Sequence, residues 1–212
     1  MNSAYAAACF RIFALATGFL GCSQGSAMLS EDAEVLISAA KPRISADFSQ
    51  DRYMSSNGRH YLSRGKVLID ADRGLCWKTT EPVEIAVLLD GGVVETYGSD
   101  GEIIESGGGN LGFGAMASIT QKLASGDIAS LEKDFEIGAH GAKGARTFVL
   151  VPKNETLGNF VENIAIRIEN GFASEVTVSE KGGGKISISF EGAVSEDDSE
   201  NLLRKFCGAP DN

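Results

Sequence analysis

From Ile44 onward, apolar side chains recur at every second position in run after run, and glycine-centred turns separate the runs. Ile44, Ala46 and Phe48 alternate with Ser45, Asp47 and Ser49, and Val67 and Ile69 follow the same beat. Ile85, Val87 and Leu89 lead into Asp90-Gly91-Gly92, a hairpin turn, and then Val93 to Tyr97. Ser99-Asp100-Gly101 turns again into Glu102 to Glu105. Further on come Thr147 to Val151, then Ile164, Ile166 and Ile168, and, after Asn170-Gly171, Val176 and Val178. Gly182-Gly183-Gly184 opens the last run, Ile186, Ile188 and Phe190. A period of two places alternate side chains on opposite faces of a strand, and short glycine turns join antiparallel neighbours. No helix separates the last of these runs, from Ile164 to Phe190, so the crossovers that a parallel sheet requires are absent there. About ten antiparallel strands are predicted.

Helical spacing intrudes in few places. Ser30 with Glu31, Asp32 and Glu34 starts a short helix through about Ala40, stopped by Pro42. Phe113 to Leu123 and Asp127 to Phe135 read as two short helices about Ser125-Gly126. An acidic stretch from Glu196 begins a tail helix with Leu202, Leu203 and Phe206. The prediction is an α+β chain: a strongly bent antiparallel sheet in one domain, residues 28–194, whose open side is covered by helices, followed by an acidic tail, residues 195–212.

The first residues read as an export signal. Arg11 precedes a nine-residue apolar run from Ile12 to Leu20, too short to span a bilayer and without an acidic residue before Glu31. Cleavage after Gly25-Ser26-Ala27 would remove residues 1–27. Phe19-Leu20-Gly21-Cys22 is a relaxed lipobox, and its use would make Cys22 a lipidated N-terminus instead. A start at Met28, with no signal, is the third reading. The first two place the chain in the periplasm, free or anchored to a membrane. Either way Cys76 and Cys207 remain, an even pair in an oxidising space, and a disulfide between them is predicted. The formal net charge is −10 with no basic run, which makes nucleic acid and anionic membrane surfaces poor partners.

The single tryptophan lies in Gly74-Leu75-Cys76-Trp77-Lys78-Thr79-Thr80-Glu81-Pro82. On a strand, Leu75 and Trp77 share one face and Cys76 and Lys78 the other. The segment resembles the Gly-Leu-x-Trp-x-x-x-x-Pro signature of periplasmic LolA-like lipoprotein carriers. Three more segments follow the family's order: Asp47-Phe48-Ser49-Gln50, Leu123-Ala124-Ser125-Gly126-Asp127-Ile128 with Leu131 and Phe135, and Phe148-Val149-Leu150-Val151-Pro152-Lys153. The resemblance covers roughly residues 30 to 192. It implies an incomplete β-barrel whose apolar interior receives lipoprotein acyl chains, or those of related lipids, under a helical lid. Phe48, Val67, Ile69, Leu75, Trp77, Ile85 and Val87 would line that cavity, and Leu111, Phe113, Met116 and Ile119 would belong to the lid. It further implies a monomer without cofactor, loaded by an inner-membrane ABC-type release complex and unloaded to an outer-membrane acceptor. One position departs from the family. Ala71 stands where the carriers place an arginine that bonds the lid, and Arg73, two residues on, is the candidate for gating.

Other motifs carry less. Gly107, Gly109 and Gly112 satisfy a G-x-G-x-x-G spacing, but no βαβ unit surrounds them. Ser130-Leu131-Glu132-Lys133 fits S-x-x-K without its companion motifs. His60 and His140 have no metal-ligand spacing, and Asp70 and Asp72 form no acid–base set. The pattern predicts a binding protein rather than an enzyme. An anchored acceptor resembling LolB, or a regulatory sensor resembling RseB, would use the same fold.

Overall fold

The runs of alternating residues pair in chain order into two meanders, which meet in the middle of one sheet. The structure is a computed structural model, describing residues 30–107 and 119–209 apart from 121, 124, 143, 198 and 200. Helix α1 (Ser30–Ala39) leads into β1 (Arg43–Met54), β2 (Arg59–Asp70), β3 (Gly74–Glu81), β4 (Ile85–Asp90), β5 (Val93–Tyr97) and β6 (Ile103–Gly107). Helix α2 (Ile128–Asp134) runs into β7 (Phe135–Ala142) and β8 (Ala145–Pro152). The single-turn α3 (Glu155–Gly158) precedes β9 (Val161–Glu169), β10 (Phe172–Glu180) and β11 (Lys185–Ser195), and α4 (Leu202–Cys207) ends the described chain. The strand order is β6-β5-β4-β3-β2-β1-β11-β10-β9-β8-β7, antiparallel throughout. Only the β1–β11 pairing is remote in sequence. β6 and β7 form opposite edges, so the curved sheet is not closed into a barrel.

Cross-strand partners share a face, and the register therefore divides the apolar residues into two sets. The front carries Trp77, Val67, Phe48, Phe190, Ile188, Val178, Ile166 and Phe148 across successive strands. Its β7–β10 part is roofed by Leu36 of α1, Ile119, and Ile128 and Leu131 of α2, which pack on Phe148, Leu150, Ile164 and Ile166. The back carries Leu68, Cys76, Ala86, Leu88 and Tyr97, covered by Leu203 and Cys207 of α4.

Local chemistry fixes the roof. Asp127 caps α2, its side chain accepting from the Ser130 N–H at 3.1 Å. Hydrogen bonding from the Ser130 side chain first, and then from its N–H, holds the Asp127 carboxyl below the usual carboxylate range. Asp32 of α1 is 4% exposed and accepts from Arg146 Nε of β8 at 2.7 Å. The same guanidinium donates to the Gly141 carbonyl at 3.1 Å.

Two sequence expectations change here. Asp127 to Phe135 is predicted wholly helical, yet α2 stops at Asp134 and Phe135 opens a strand. β7 is the eleventh strand, missing from the prediction of about ten. Phe135 lies four residues after Leu131 and two before Ile137, so it satisfies both periods at once. Pairing of Ile137 with Leu150 and Ala139 with Phe148 decides for the strand.

Candidate functional site

The front face over β1 to β4 has the aromatic character that the sequence points to. Register sets Trp77 opposite Val67 on β2 and Val87 on β4, Leu75 opposite Ile69 and Leu89, and Thr79 opposite Ile85. Phe48 pairs with Gly65 on one side and Phe190 on the other. The Phe48 and Trp77 rings are 4.2 Å apart between centroids, and Phe190 meets the indole edge-on at 6.3 Å. Offset and edge-on contacts of this kind suit the ring quadrupoles.

Burial grades across the patch. Phe48, Val67 and Leu75 are buried, with Phe48 3% exposed. Ile69, Trp77, Ile85 and Val87 are only half-buried. Those four present a partly open apolar floor with no titratable group among them. Phe190 and Ile188, which sequence reasoning did not include in the site, join Phe48 and Trp77 from β11. Their alternation was visible in the sequence; their neighbourhood was not, because β1 and β11 are separated by most of the chain.

The predicted lid residues divide. Leu111, Phe113 and Met116 lie outside the described residues, as does Cys22. Ile119 is 4% exposed and belongs to the roof over β7–β10, with Leu36 and Leu131, rather than to the Phe48–Trp77 cluster. Arg73 Nη2 donates to Asp90 at 2.8 Å and its Nε to the same carboxylate at 3.2 Å. It joins the β2–β3 turn to the end of β4, and no helical residue is among its described partners. Arg146, by contrast, reaches Asp32 of α1 on the front of the sheet.

The back face has other chemistry. Cys76 and Cys207 form a disulfide, their Cα atoms 5.8 Å apart, fastening α4 to the reverse side of the strand that carries Trp77. Beside it Tyr97, fully buried, donates to Glu95 at 2.6 Å, and Arg204 of α4 donates to Glu95 at 3.2 Å. Burial first, and then the bond to Glu95, push the Tyr97 hydroxyl above its ordinary value. A shallow recess of about 280 Å3 is lined by Asp47, Phe48, Ser49, Arg64, Lys66 and Glu191 among others, and so borders the Phe48 side of the Phe48–Trp77 face. Among the described residues no cluster of three or more His, Cys, Asp or Glu could hold a metal ion. No helix among them is long and apolar enough to cross a membrane.

A family model, outer membrane lipoprotein carrier protein LolA, matches residues 42–206. The chain belongs to the LolA family. No curated protein sequence gives a match of its own. The fold is similar to that of a LolA superfamily protein, NE2245, from Nitrosomonas europaea, with TM-score 0.47 and 11% identity over 84% of this chain and 98% of that one. It is also similar to a putative outer membrane lipoprotein-sorting protein domain from Vibrio parahaemolyticus: TM-score 0.43, 8% identity, 82% of this chain and 96% of that one. The complex of Pseudomonas aeruginosa MucA and MucB gives TM-score 0.42 and 13% identity, with 80% of this chain and 58% of that chain covered. The LolA segment thus runs from just before β1 into α4, ending one residue before Cys207, and includes the whole Phe48–Trp77 face.

Proposed function

We propose that the protein is a periplasmic carrier that binds the acyl chains of a lipoprotein, or of a related lipid, on its front face. It takes them from an inner-membrane ATP-driven release complex and gives them up to an outer-membrane acceptor. Membership of the LolA family supports the class of function. The observation that carries the reading to particular residues is the half-buried floor of Trp77, Ile69, Ile85 and Val87 around the Phe48 ring. Binding needs no covalent step and no cofactor in this reading: the driving force is removal of alkyl and aromatic surface from water.

Magnitude sets a limit on how such a site works. Burying about 16 methylenes at ~0.8 kcal/mol each yields roughly 13 kcal/mol for one acyl chain. Three chains buried completely would pass the ceiling of about 18–21 kcal/mol for non-covalent binding. A carrier that also releases its cargo is better served by a floor that stays partly wet than by a sealed cavity, and a floor only half-buried before loading fits that need.

Trp77 is the only tryptophan in the chain and so reports on the site directly. A triacylated lipopeptide with brominated acyl chains should quench its emission, whereas the same peptide without acyl chains should not. Emission unmoved by the acylated peptide at saturating concentration would remove Trp77 from any lipid site and overturn the reading.

A further inference from the structure

β2 is longer than the strand beside it. β1 and β2 pair along their whole length, from Arg43 with Asp70 to Met54 with Arg59, but β3 meets β2 only from Arg64 onward. The bulge at Arg64 and Gly65, and the end of β3 at Glu81, leave residues 59–63 paired on one side only. Thr80 Oγ1 donates to the Arg64 carbonyl at 3.3 Å, which marks the side of β2 that faces β3. Backbone groups two residues apart point to the same side of a strand. The N–H and C=O of Leu62 and His60 therefore face outward past the end of β3, without a backbone partner among the described residues. Leu62 is 68% exposed and Tyr61 46%. Val83, just past the Glu81 that pairs with Arg64, is 61% exposed.

We propose that this step in the sheet is a docking site for an extended acidic segment of a partner polypeptide, which would add a short strand beside residues 59–63. Alternating outward donors and acceptors are what an added strand reads, and the flanking side chains choose which strand. Arg59 and Arg64 are exposed and in no ion pair among the described residues, while His60 lies against Asp51 at 2.9 Å and Arg52 against Glu180 at 3.3 Å. At the step, Arg59 and Arg64 are thus exposed cations free to pair with an incoming carboxylate, with Glu81 as the cross-strand neighbour of Arg64. Charges on an exposed edge oppose self-pairing. Two copies laid step to step would bring Arg59, His60 and Arg64 of both chains together. Carboxylates opposite Arg59 and Arg64, with β-branched residues over Leu62 and Tyr61, meet the same surface favourably. The site lies apart from the Phe48–Trp77 floor and does not depend on what binds there.

The test is a titration of the 15N-labelled, disulfide-intact protein with two synthetic capped peptides, one alternating valine with glutamate and one alternating valine with lysine. The valine–glutamate peptide should shift the amides of residues 59–63, and the valine–lysine peptide should bind at least about tenfold more weakly. Leu62→Pro removes one outward N–H without touching the pairing with β1, and should weaken the valine–glutamate peptide by about tenfold. Arg59→Glu with Arg64→Glu should invert the preference between the peptides, and it stands as the second variant if the proline disturbs folding. Trp77 quenching by acylated peptide should be the same in all variants, so failure here is separable from failure of the lipid reading. Equal binding of the two peptides, shifts confined to β6 or β7, or no shift at all would overturn the proposal. So would shifts at residues 59–63 that grow with protein concentration alone, which would assign the step to a second copy.

Discussion

Phe48 on β1 and Trp77 on β3 stack at 4.2 Å although β2 runs between their strands. The residue of β2 opposite Phe48 is Gly65, which has no side chain to part the two rings. Phe48→Ala should therefore destabilise the protein by about 3–5 kcal/mol, as loss of a buried ring does. Trp77 emission in the native state should also shift to the red as the indole loses its cover. Denaturant unfolding followed by fluorescence checks both effects; an unchanged emission maximum would show that Phe48 does not shield the indole.

Gly65 has a second neighbour. A Cβ built there would lie 2.0 Å from the Lys78 carbonyl oxygen, a backbone atom that cannot swing aside. Gly65→Ala should cost about 1–3 kcal/mol or more through strain at the β2–β3 ladder. The strand amides of residues 76–80 should then exchange faster with solvent, whereas Gly58→Ala, with nothing within 4 Å of its new Cβ, should leave them alone.

The disulfide closes a loop across 131 positions of sequence. Its loss in Cys76→Ser with Cys207→Ser should lower stability by about 2–4 kcal/mol. The first amides to lose protection should be those of α4, which has few other covers on the back of the sheet than Leu68, Leu88 and Tyr97. Comparing the midpoint of urea unfolding with and without reductant measures the cost. No difference would mean that apolar packing of α4 suffices.

Asp32, buried in α1, forms an ion pair with the partly exposed Arg146 of β8. Removing one partner strands the other charge, so Arg146→Met alone should cost about 3–5 kcal/mol. Arg146→Met together with Asp32→Leu should recover most of that loss, since an apolar pair of similar volume carries no desolvation cost. A double-mutant cycle by chemical denaturation reads the coupling, and strictly additive losses would contradict it.

Tyr97 gives a pH dependence of definite sign. Its hydroxyl is held above the ordinary value by burial and by Glu95, so the folded state keeps the proton longer than the unfolded chain does. The stability this represents is complete below the unfolded value, about pH 10, and is lost as pH rises through the folded value. Urea unfolding from pH 8 to 11 should show the decline, and Tyr97→Phe should make it shallower. An identical slope in the variant would place the loss on other groups.

Much of the sheet is legible in the sequence because its turns are local and chemically explicit. Asp90-Gly91-Gly92 and Asn170-Gly171 supply positive φ at the places where β4 meets β5 and β9 meets β10. β7 was missed because Gly138 and Gly141 dilute its apolar beat and Phe135 fits the helix before it equally well. Of the site, the facing of Leu75 and Trp77 away from Cys76 follows from alternation alone. Phe190 could not be placed beside Trp77 in that way, because no local pattern names a partner on a strand so far along the chain.

The sequence by itself determined which side of its strand each residue occupies: Phe48, Val67 and Trp77 on one face, Leu68, Cys76 and Leu88 on the other. A two-residue period needs only the neighbouring peptide units to be realised. The tertiary structure alone decided that β1 lies against β11, that α1 and α2 roof the β7–β10 half of the front face, and that Arg146 rather than Arg73 grips a helix there. Those choices rest on apolar burial and ion pairing between segments remote in sequence. Their energy exists only once the whole sheet has assembled.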